Sequence, residues 1–382
     1  MSAFGDLYGA ERSLLEVVDV LSPVWKPRFV IPSTGPFSAA LECAKYPFDV
    51  VRFDNDWLAQ LTRIIGTHRA DLLHANTVTA APLVAAASRI TDVPYVVHLR
   101  TTFPEKFPGK RDELWRRTLR DASGIIFISR AVHDSAWTAG VLSPEHRDRI
   151  WLIPSARRLS KYRHGDRARI RAELGITDDA PLIGMVGRLN PSKGQHIFLR
   201  AAALLAKHLP SARFVLVGDL GELMKDRLQT YRDLLKRWCE EPPLKDRVTF
   251  FGYRTDIPDI LSALDCFVHP SPRGAFESVL IEAMAMGVPL VVSSAEGIPE
   301  CVGRDGAAEI INSLEPADYA NAIVRIIRDR ERHASMSQAG RERANLYEAV
   351  PLARQTESAF EAACLRLNWS NRPGHVRNWN ST

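Results

Sequence analysis

The sequence predicts an α/β protein made of two doubly wound domains that face a central cleft, and three observations lead there. Short Val/Ile-rich runs alternate with longer helix-like stretches throughout, which is the pattern of parallel strands covered by helices on both faces. At 382 residues the chain exceeds one ordinary core and suits two domains of similar size. A polar, arginine-rich piece, Ser155 to Arg171, separates two strand-rich halves.

The first half supplies the runs RFVIP (28–32), DVVRF (49–53), DLLH (71–74), YVVH (95–98), IIFIS (125–129) and IWLIP (150–154). The second supplies LIGMVG (182–187), RFVLVG (213–218), VTFFG (248–252), CFVH (266–269) and PLVVS (289–293). The expected boundaries are 1–165 for the first domain and 166–345 for the second, then a final amphipathic helix over 346–366 and a polar tail over 367–382. In doubly wound sheets ligands bind at the carboxyl ends of the strands, so functional residues are sought in the loops that follow them.

With 46% hydrophobic and 25% charged residues, the composition is that of a globular protein. The opening MSAFGDLYGAER shows neither the basic region nor the apolar core of an export signal. No apolar run approaches the roughly 18 residues that a membrane span needs. The five cysteines are odd in number and lack CxxC spacing, which points to a reducing, cytoplasmic setting and away from a zinc site. The net charge of +5 is uneven: Arg100 to Arg171 holds 17 Lys/Arg against 8 Asp/Glu. Such a surplus reads plainly as a solvated basic face. More sharply, it predicts peripheral contact with an anionic membrane at its inner face, or an anionic acceptor. Nucleic acid is not expected, since no recognition motif accompanies the basic residues.

Two stretches carry chemistry. VGRLNPSKGQ (186–195) ends a strand and opens a helix, and the order Lys193–Gly194 excludes a Walker loop. It sets Arg188 and Lys193 beside a helix N-terminus, a good electrostatic site for a diphosphate, although two solvated cations on a loop would look alike. RGAFESVLIEAMAMGVPLVV (273–292) reads as loop, helix from about Ser278, glycine stop at Gly287 and buried strand. Glu277 and Glu282 differ by five residues, about 140° on a helix, so they do not form an acid–base pair on one face. A Glu282 buried among Ala and Met is costly unless it has hydrogen-bonding partners.

GRLNPSKG, LVGDLGE (216–222), FFGYRTDIPDILSALDCFVHPS and LIEAMAMGVPLVVSSAEGIPE resemble, in order and spacing, the retaining GT-B glycosyltransferases known as group 1 or family four. GDLYGAERSLLEV resembles that family's glycine-rich acceptor-side loop, here Gly5, Tyr8 and Gly9, and VPYVVHLRTT its strand ending in a histidine, here His98. The resemblance runs from Gly5 to about Asn345. It implies a GT-B fold of two Rossmann-like domains. It also implies transfer of a sugar from a nucleotide-diphosphate sugar with retained configuration, needing no metal and no cofactor. The acceptor would be a glycan, a lipid-linked intermediate or a small molecule. By the same resemblance His98 would lie near the reacting sugar, while Arg188 and Lys193 would neutralise the diphosphate. Glu282 would hold the ribose, and the N–H groups of Ser278, Val279 and Leu280 would support the phosphates. Gly218, Asp219, Tyr253 and Arg254 would line the nucleotide pocket.

The sequence departs from the family twice. The glutamate that normally precedes the ribose glutamate by eight residues, and contacts the donor sugar, is here Gly274. Either the backbone N–H of Gly274 reads the sugar, or Glu277 swings its carboxylate back. The second departure is at the start, where few residues precede Gly5: either the start is lost or misassigned, or the N-terminal domain is expected to lack its first strand. Two other readings exist: Asp54-Asn55-Asp56 as a metal-binding DxD, and a weak or inactive nucleotide-sugar-binding subunit supporting a partner enzyme.

Overall fold

The computed structural model describes residues 1–2, 5, 7–105, 111–220 and 225–366. The expected polar tail therefore lies outside the described residues. The chain divides into two compact units, one comprising Met1–Pro154 with the segment from Val350 onward, the other Ser155–Ala349.

In the first unit the apolar runs become β1 (Phe29–Ile31), β2 (Phe48–Val50), β3 (Leu73–Ala75), β4 (Tyr95–Leu99), β5 (Gly124–Phe127) and β6 (Ile150–Leu152). All pairings are parallel: β1 with β2, and β3-β4-β5-β6 in that order. Both β4 and β5 are buried along their whole length, which is why they read as unbroken apolar runs. No regular strand is assigned between β1 and β3 among the described residues. The gap is not empty, however. Ser2 N donates to Val30 O (3.1 Å), Asn76 N to Met1 O (3.0 Å) and the Met1 amino group to His74 O (2.5 Å), so Met1 and Ser2 stitch the two pieces together. The Met1 side chain packs against the cluster of Val30, Val51, Leu61 and Ile65.

The second unit is one six-stranded parallel sheet of β7 (Leu182–Val186), β8 (Arg213–Val217), β9 (Val248–Gly252), β10 (Cys266–His269), β11 (Leu290–Ser293) and β12 (Ala308–Ile311), in the order β12-β11-β10-β7-β8-β9. The strand β12 lies in no apolar run of the sequence. It is an edge strand with one fully buried residue, Ile311, which explains its weak signal. Helices Gln195–His208 and Pro316–Arg328 cover one face, with Phe198 edge-on to Phe214 at 6.2 Å. The strand order reverses between β7 and β10. That reversal is the point at which doubly wound sheets bind ligands, at the carboxyl ends of the strands.

Two expectations need correction. The division falls at Pro154/Ser155 rather than 165/166, because residues from 155 on bond within the second unit: Arg157 N donates to Tyr347 O (2.8 Å) and Arg157 Nε to Glu282 Oε1 (2.9 Å). The final helix, Ala349–Leu365, belongs to the first unit, where Glu357 Oε1 accepts from Ser22 N and Phe360 meets Trp25 and His74 at 5.4 and 5.3 Å. Part of the basic stretch is engaged in ion pairs. Arg117 and Arg120 pair with Glu113 and Asp121 in the first unit, and Arg167, Arg169 and Arg171 pair with Asp265, Asp256 and Asp259 in the second. No helix among the described residues is long and apolar enough to cross a membrane.

Arg171 shows how such pairs serve the fold. Its side chain is 2% exposed, donates to the carbonyls of Thr177, Ala180 and Ala263, and faces Asp265 Oδ2 at 3.4 Å. Asp265 in turn accepts from Leu182 N at the start of β7 (2.7 Å), so one buried cation fixes the entry to the central strand. We expect Arg171→Met to lower unfolding stability by about 3 kcal/mol in urea titrations, because it strands buried acceptors. An unchanged midpoint would show that the network is dispensable.

Candidate functional site

In the second unit the loops after β7 and β10 are locked into one body. Gly194 has φ +81°, and a Cβ there would lie 2.1 Å from Pro270 O, so only glycine allows the two loops to touch. Ser271 Oγ donates to Ser192 O (2.5 Å), and Ser293 Oγ from β11 donates to Ser271 O (2.5 Å). Lys193 ends the short turn Pro191–Lys193, whose Asn190 side chain accepts from Ser192 N (2.9 Å). The carbonyl of Arg188 is held by Gln195 Nε2 (2.7 Å), so both cations leave a braced turn. Gly218, with φ +132°, abuts the same turn, since a Cβ on it would lie 2.1 Å from Gly187 O. Asp219 O accepts from Leu189 N (3.0 Å), and its carboxylate caps Leu220 N and faces Arg232 at 3.6 Å.

The five-residue spacing of the two glutamates is now explained. Glu277 is the N-cap of helix Ser278–Ala285, in extended backbone, whereas Glu282 lies inside the helix. The Glu277 carboxylate folds back over Gly274: a Cβ on Gly274 would sit 3.2 Å from Glu277 Oε1 and 2.8 Å from Ile298 Cδ1. Glu277 Oε1 accepts from Lys193 Nζ at 2.5 Å, and Oε2 lies 3.7 Å from His269 Nε2. The backbone N–H of Gly274 is already donated to Glu296 Oε2 (2.9 Å), so of the two outcomes open in the sequence the geometry favours the swung carboxylate. Burial pushes the Glu277 carboxyl up, but Lys193, then His269, then Arg188 outweigh it and hold the group below the usual range.

Glu282 is not an unpartnered acceptor. Its Oε1 takes a hydrogen bond from Arg157, a residue no motif flagged, whose side chain is 2% exposed. The helix start offers N–H groups as expected, except that Leu280 N is donated to Glu277 O (3.0 Å). This leaves Ser278 and Val279 as the two without an intrahelical acceptor. Arg254 is committed elsewhere. It grips Glu173 with two bonds (2.6 and 3.1 Å) and Asp256 with two more (2.8 and 2.7 Å), which raises its pKa and depresses that of Asp256. Tyr253 beside it is 63% exposed.

His269, at the end of β10, is fully buried, and neither ring nitrogen finds a hydrogen-bond partner among the described residues. Burial pulls its pKa down to about 4, against the partial support of Glu277. Its position at a strand's carboxyl end is the signal that could have singled it out.

In the first unit, His98 is the next-to-last residue of β4 and is 6% exposed. Its Nδ1 lies 3.1 Å from Arg100 Nη2, and a guanidinium can only donate, so the ring proton resides on Nε2, which has no acceptor among the described residues. Arg100 is aimed by Asn76, whose Oδ1 accepts from Nε and Nη2 at 3.2 and 3.0 Å. Burial, then the Arg100 charge and His74, hold the His98 ring neutral. Tyr8 caps helix Gly9–Val18 from extended backbone, and Gly5 O accepts from Phe37 N (2.9 Å). Asp54 and Asp56 sit together in an exposed turn (Asp56 N to Asp54 Oδ1, 3.0 Å), and no metal-ligating cluster occurs among the described residues.

Comparison with known proteins agrees with this geometry. Residues 166–343 match the family model described as glycosyl transferases group 1, and residues 9–160 match that of Glycosyltransferase Family 4. The chain belongs to the GT-B glycosyltransferases of group 1, family four. It is 35% identical over 191 residues to the D-inositol 3-phosphate glycosyltransferase of Nocardia farcinica, covering 49% of this chain and 41% of that protein. The chain thus spans less than half the length of that relative. It is 26% identical over 290 residues to the UDP-Gal:alpha-D-GlcNAc-diphosphoundecaprenol alpha-1,3-galactosyltransferase of Escherichia coli, covering 72% of this chain and 70% of the other. Among solved structures, HepE of Anabaena in complex with UDP and glucose superposes with a TM-score of 0.83 at 26% identity, covering 94% of this chain and 97% of that one.

The buried histidines set an acid limit on the fold. The unfolded His269 titrates near 6.5 and the folded one near 4, so the native state binds fewer protons in between. Stability contributed by keeping this ring neutral is whole above about pH 6.5 and is lost as pH falls towards 4. Urea unfolding at pH 7 and pH 4.5 should show wild type losing about 2 kcal/mol more than His269→Asn. Equal losses would mean that His269 is not the group responsible.

Proposed function

We propose that this chain transfers a glycosyl group from a nucleotide-diphosphate sugar to an acceptor hydroxyl, with retention of configuration and without a metal ion. The observation that carries the reading is the braced cationic turn, Arg188 to Lys193, at the carboxyl end of β7 in a group 1 domain. When the bond between the sugar and the diphosphate breaks, negative charge builds on the leaving diphosphate. Two fixed cations and the N–H groups of Ser278 and Val279 are suited to stabilise it, supplying the positive field that a metal would otherwise provide. Glu282, oriented by Arg157, keeps the role of ribose acceptor, and the resemblance alone assigns His98 to the reacting sugar.

The HepE complex with UDP and glucose supports a uridine nucleotide as donor. Two relatives act, by their names, on acceptors that carry phosphate, an inositol phosphate and a diphosphoundecaprenol-linked sugar. This supports a phosphorylated acceptor, lipid-linked or small, ahead of a neutral glycan. The relatives' names describe transferases, which leaves the non-catalytic subunit without support. All five cysteines are free, as suits a reducing cytoplasm.

A panel of nucleotide sugars, with the product anomer read by NMR, tests the reaction and its stereochemistry, and inversion would refute the retaining assignment. Excess EDTA should leave turnover unchanged; activity that is lost and then restored by Mn²⁺ or Mg²⁺ would return attention to Asp54 and Asp56. Arg188→Ala and Lys193→Ala should each lower kcat/KM by roughly 10²-fold with native circular dichroism, as expected when one preorganised charge is removed. Wild-type turnover in both variants would place the diphosphate elsewhere.

A further inference from the structure

Glu277 poses a problem for the site just described. A carboxylate bonded at 2.5 Å to the lysine that should bind a diphosphate is an anion placed beside an anion site. Its side chain is 14% exposed and that of Lys193 is 20% exposed, so water and salt screen it only weakly. The surroundings actively hold the charge in place. Lys193, at hydrogen-bond distance, and Arg188 keep the carboxyl ionised in spite of its burial. Gly274 leaves the space into which it folds, 3.2 Å from where a Cβ would stand.

The two nucleotides the site must handle differ in charge. In a nucleotide sugar the terminal phosphate is capped as a sugar ester, and the diphosphate carries two negative charges. In the released nucleoside diphosphate that phosphate is a free monoester with a pKa near 6, so at pH 7 it carries about one charge more. The sugar also presents hydroxyl donors, which a carboxylate accepts well, whereas the bare terminal phosphate presents only oxygen acceptors. Both differences have the same sign at Glu277.

We propose that Glu277 is a specificity-determining residue that favours the loaded nucleotide sugar over the spent nucleoside diphosphate and so promotes product release. The inference rests on the donor-site reading above. Lys193 attracts both nucleotides, and Glu277 subtracts from that attraction mainly for the product.

The test is calorimetric titration of UDP and UDP-glucose, or of the GDP or ADP pair where that binds more tightly, into wild type, Glu277→Gln and Glu277→Asp at pH 7.5. Removing one charge at this range should lower the ratio Kd(nucleoside diphosphate)/Kd(nucleotide sugar) by about tenfold in Glu277→Gln. Product inhibition of turnover should strengthen relative to KM by the same factor. Glu277→Asp keeps the charge and should keep most of the wild-type ratio. Should the amide variant not fold, Glu277→Ser provides the neutral side chain. A ratio unchanged in the folded neutral variant overturns the inference while the donor site stands. Failure of wild type to bind any of the nucleotides overturns the donor-site reading and this inference with it.

Discussion

The Lys193–Glu277 contact is the interaction on which the second unit's candidate site depends. Two loops from neighbouring strands are held backbone to backbone by Gly194 against Pro270 and by Ser271 on Ser192, and the ion pair closes over them. Taking a cation and a carboxylate largely out of water costs about what their attraction returns, so such a pair is poor evidence of stabilisation. What it does secure is place and charge state. The lysine is kept where an incoming anion can share it, and the carboxylate is kept ionised.

Comparison with the other buried pairs sharpens the distinction. Arg171 is surrounded by carbonyls and Asp265, and Arg254 divides four bonds between Glu173 and Asp256. In both, the planar fork is held by several protein acceptors, which is how an arginine serves a fold. Lys193 meets one carboxylate oxygen at the end of a flexible stem. A point charge with donors to spare suits a ligand that comes and goes. By this criterion Arg254 is bound into the scaffold of the second unit, and Tyr253 beside it is largely exposed.

How far the sequence could be read follows from what its signals are made of. Strands such as β4, β5, β7, β10 and β11 are legible because a parallel strand buried along its whole length must be apolar throughout, whereas β12, with three of its four residues only partly buried, carries a weaker signal. The helix Ser278–Ala285 and its stop at Gly287 followed from local chemistry that every helix obeys. The unit boundary was misplaced because an arginine-rich segment looks like a linker in one dimension. In three, Arg157 and Arg171 are among the most deeply buried large side chains of the protein. Partners such as Arg157 for Glu282, separated by 125 residues, leave no pattern at short range. Gly274 and Glu277 lay between these extremes. Their departure from the family was legible, but only the coordinates show that each depends on the other, since a side chain at 274 would collide with Ile298 and crowd the Glu277 carboxylate.

Both units place a histidine at the carboxyl end of a buried parallel strand and bury it until it is neutral, His98 on β4 and His269 on β10. In an ordinary core this would be an expensive way to fill space, because a ring nitrogen without a partner forfeits its hydrogen bond with water. His74 and His146 also bury an Nε2 without a partner among the described residues, and at His98 and His269 an adjacent charge bears on the ring. Arg100 donates to Nδ1 of His98 and leaves Nε2–H as the only donor, whereas Glu277 stands near Nε2 of His269 without forming a hydrogen bond. Desolvation by the sheet therefore does for these histidines what a carboxylate partner could not. A paired carboxylate would raise the pKa and invite protonation, while burial beside a cation lowers it and keeps each ring uncharged at neutral pH.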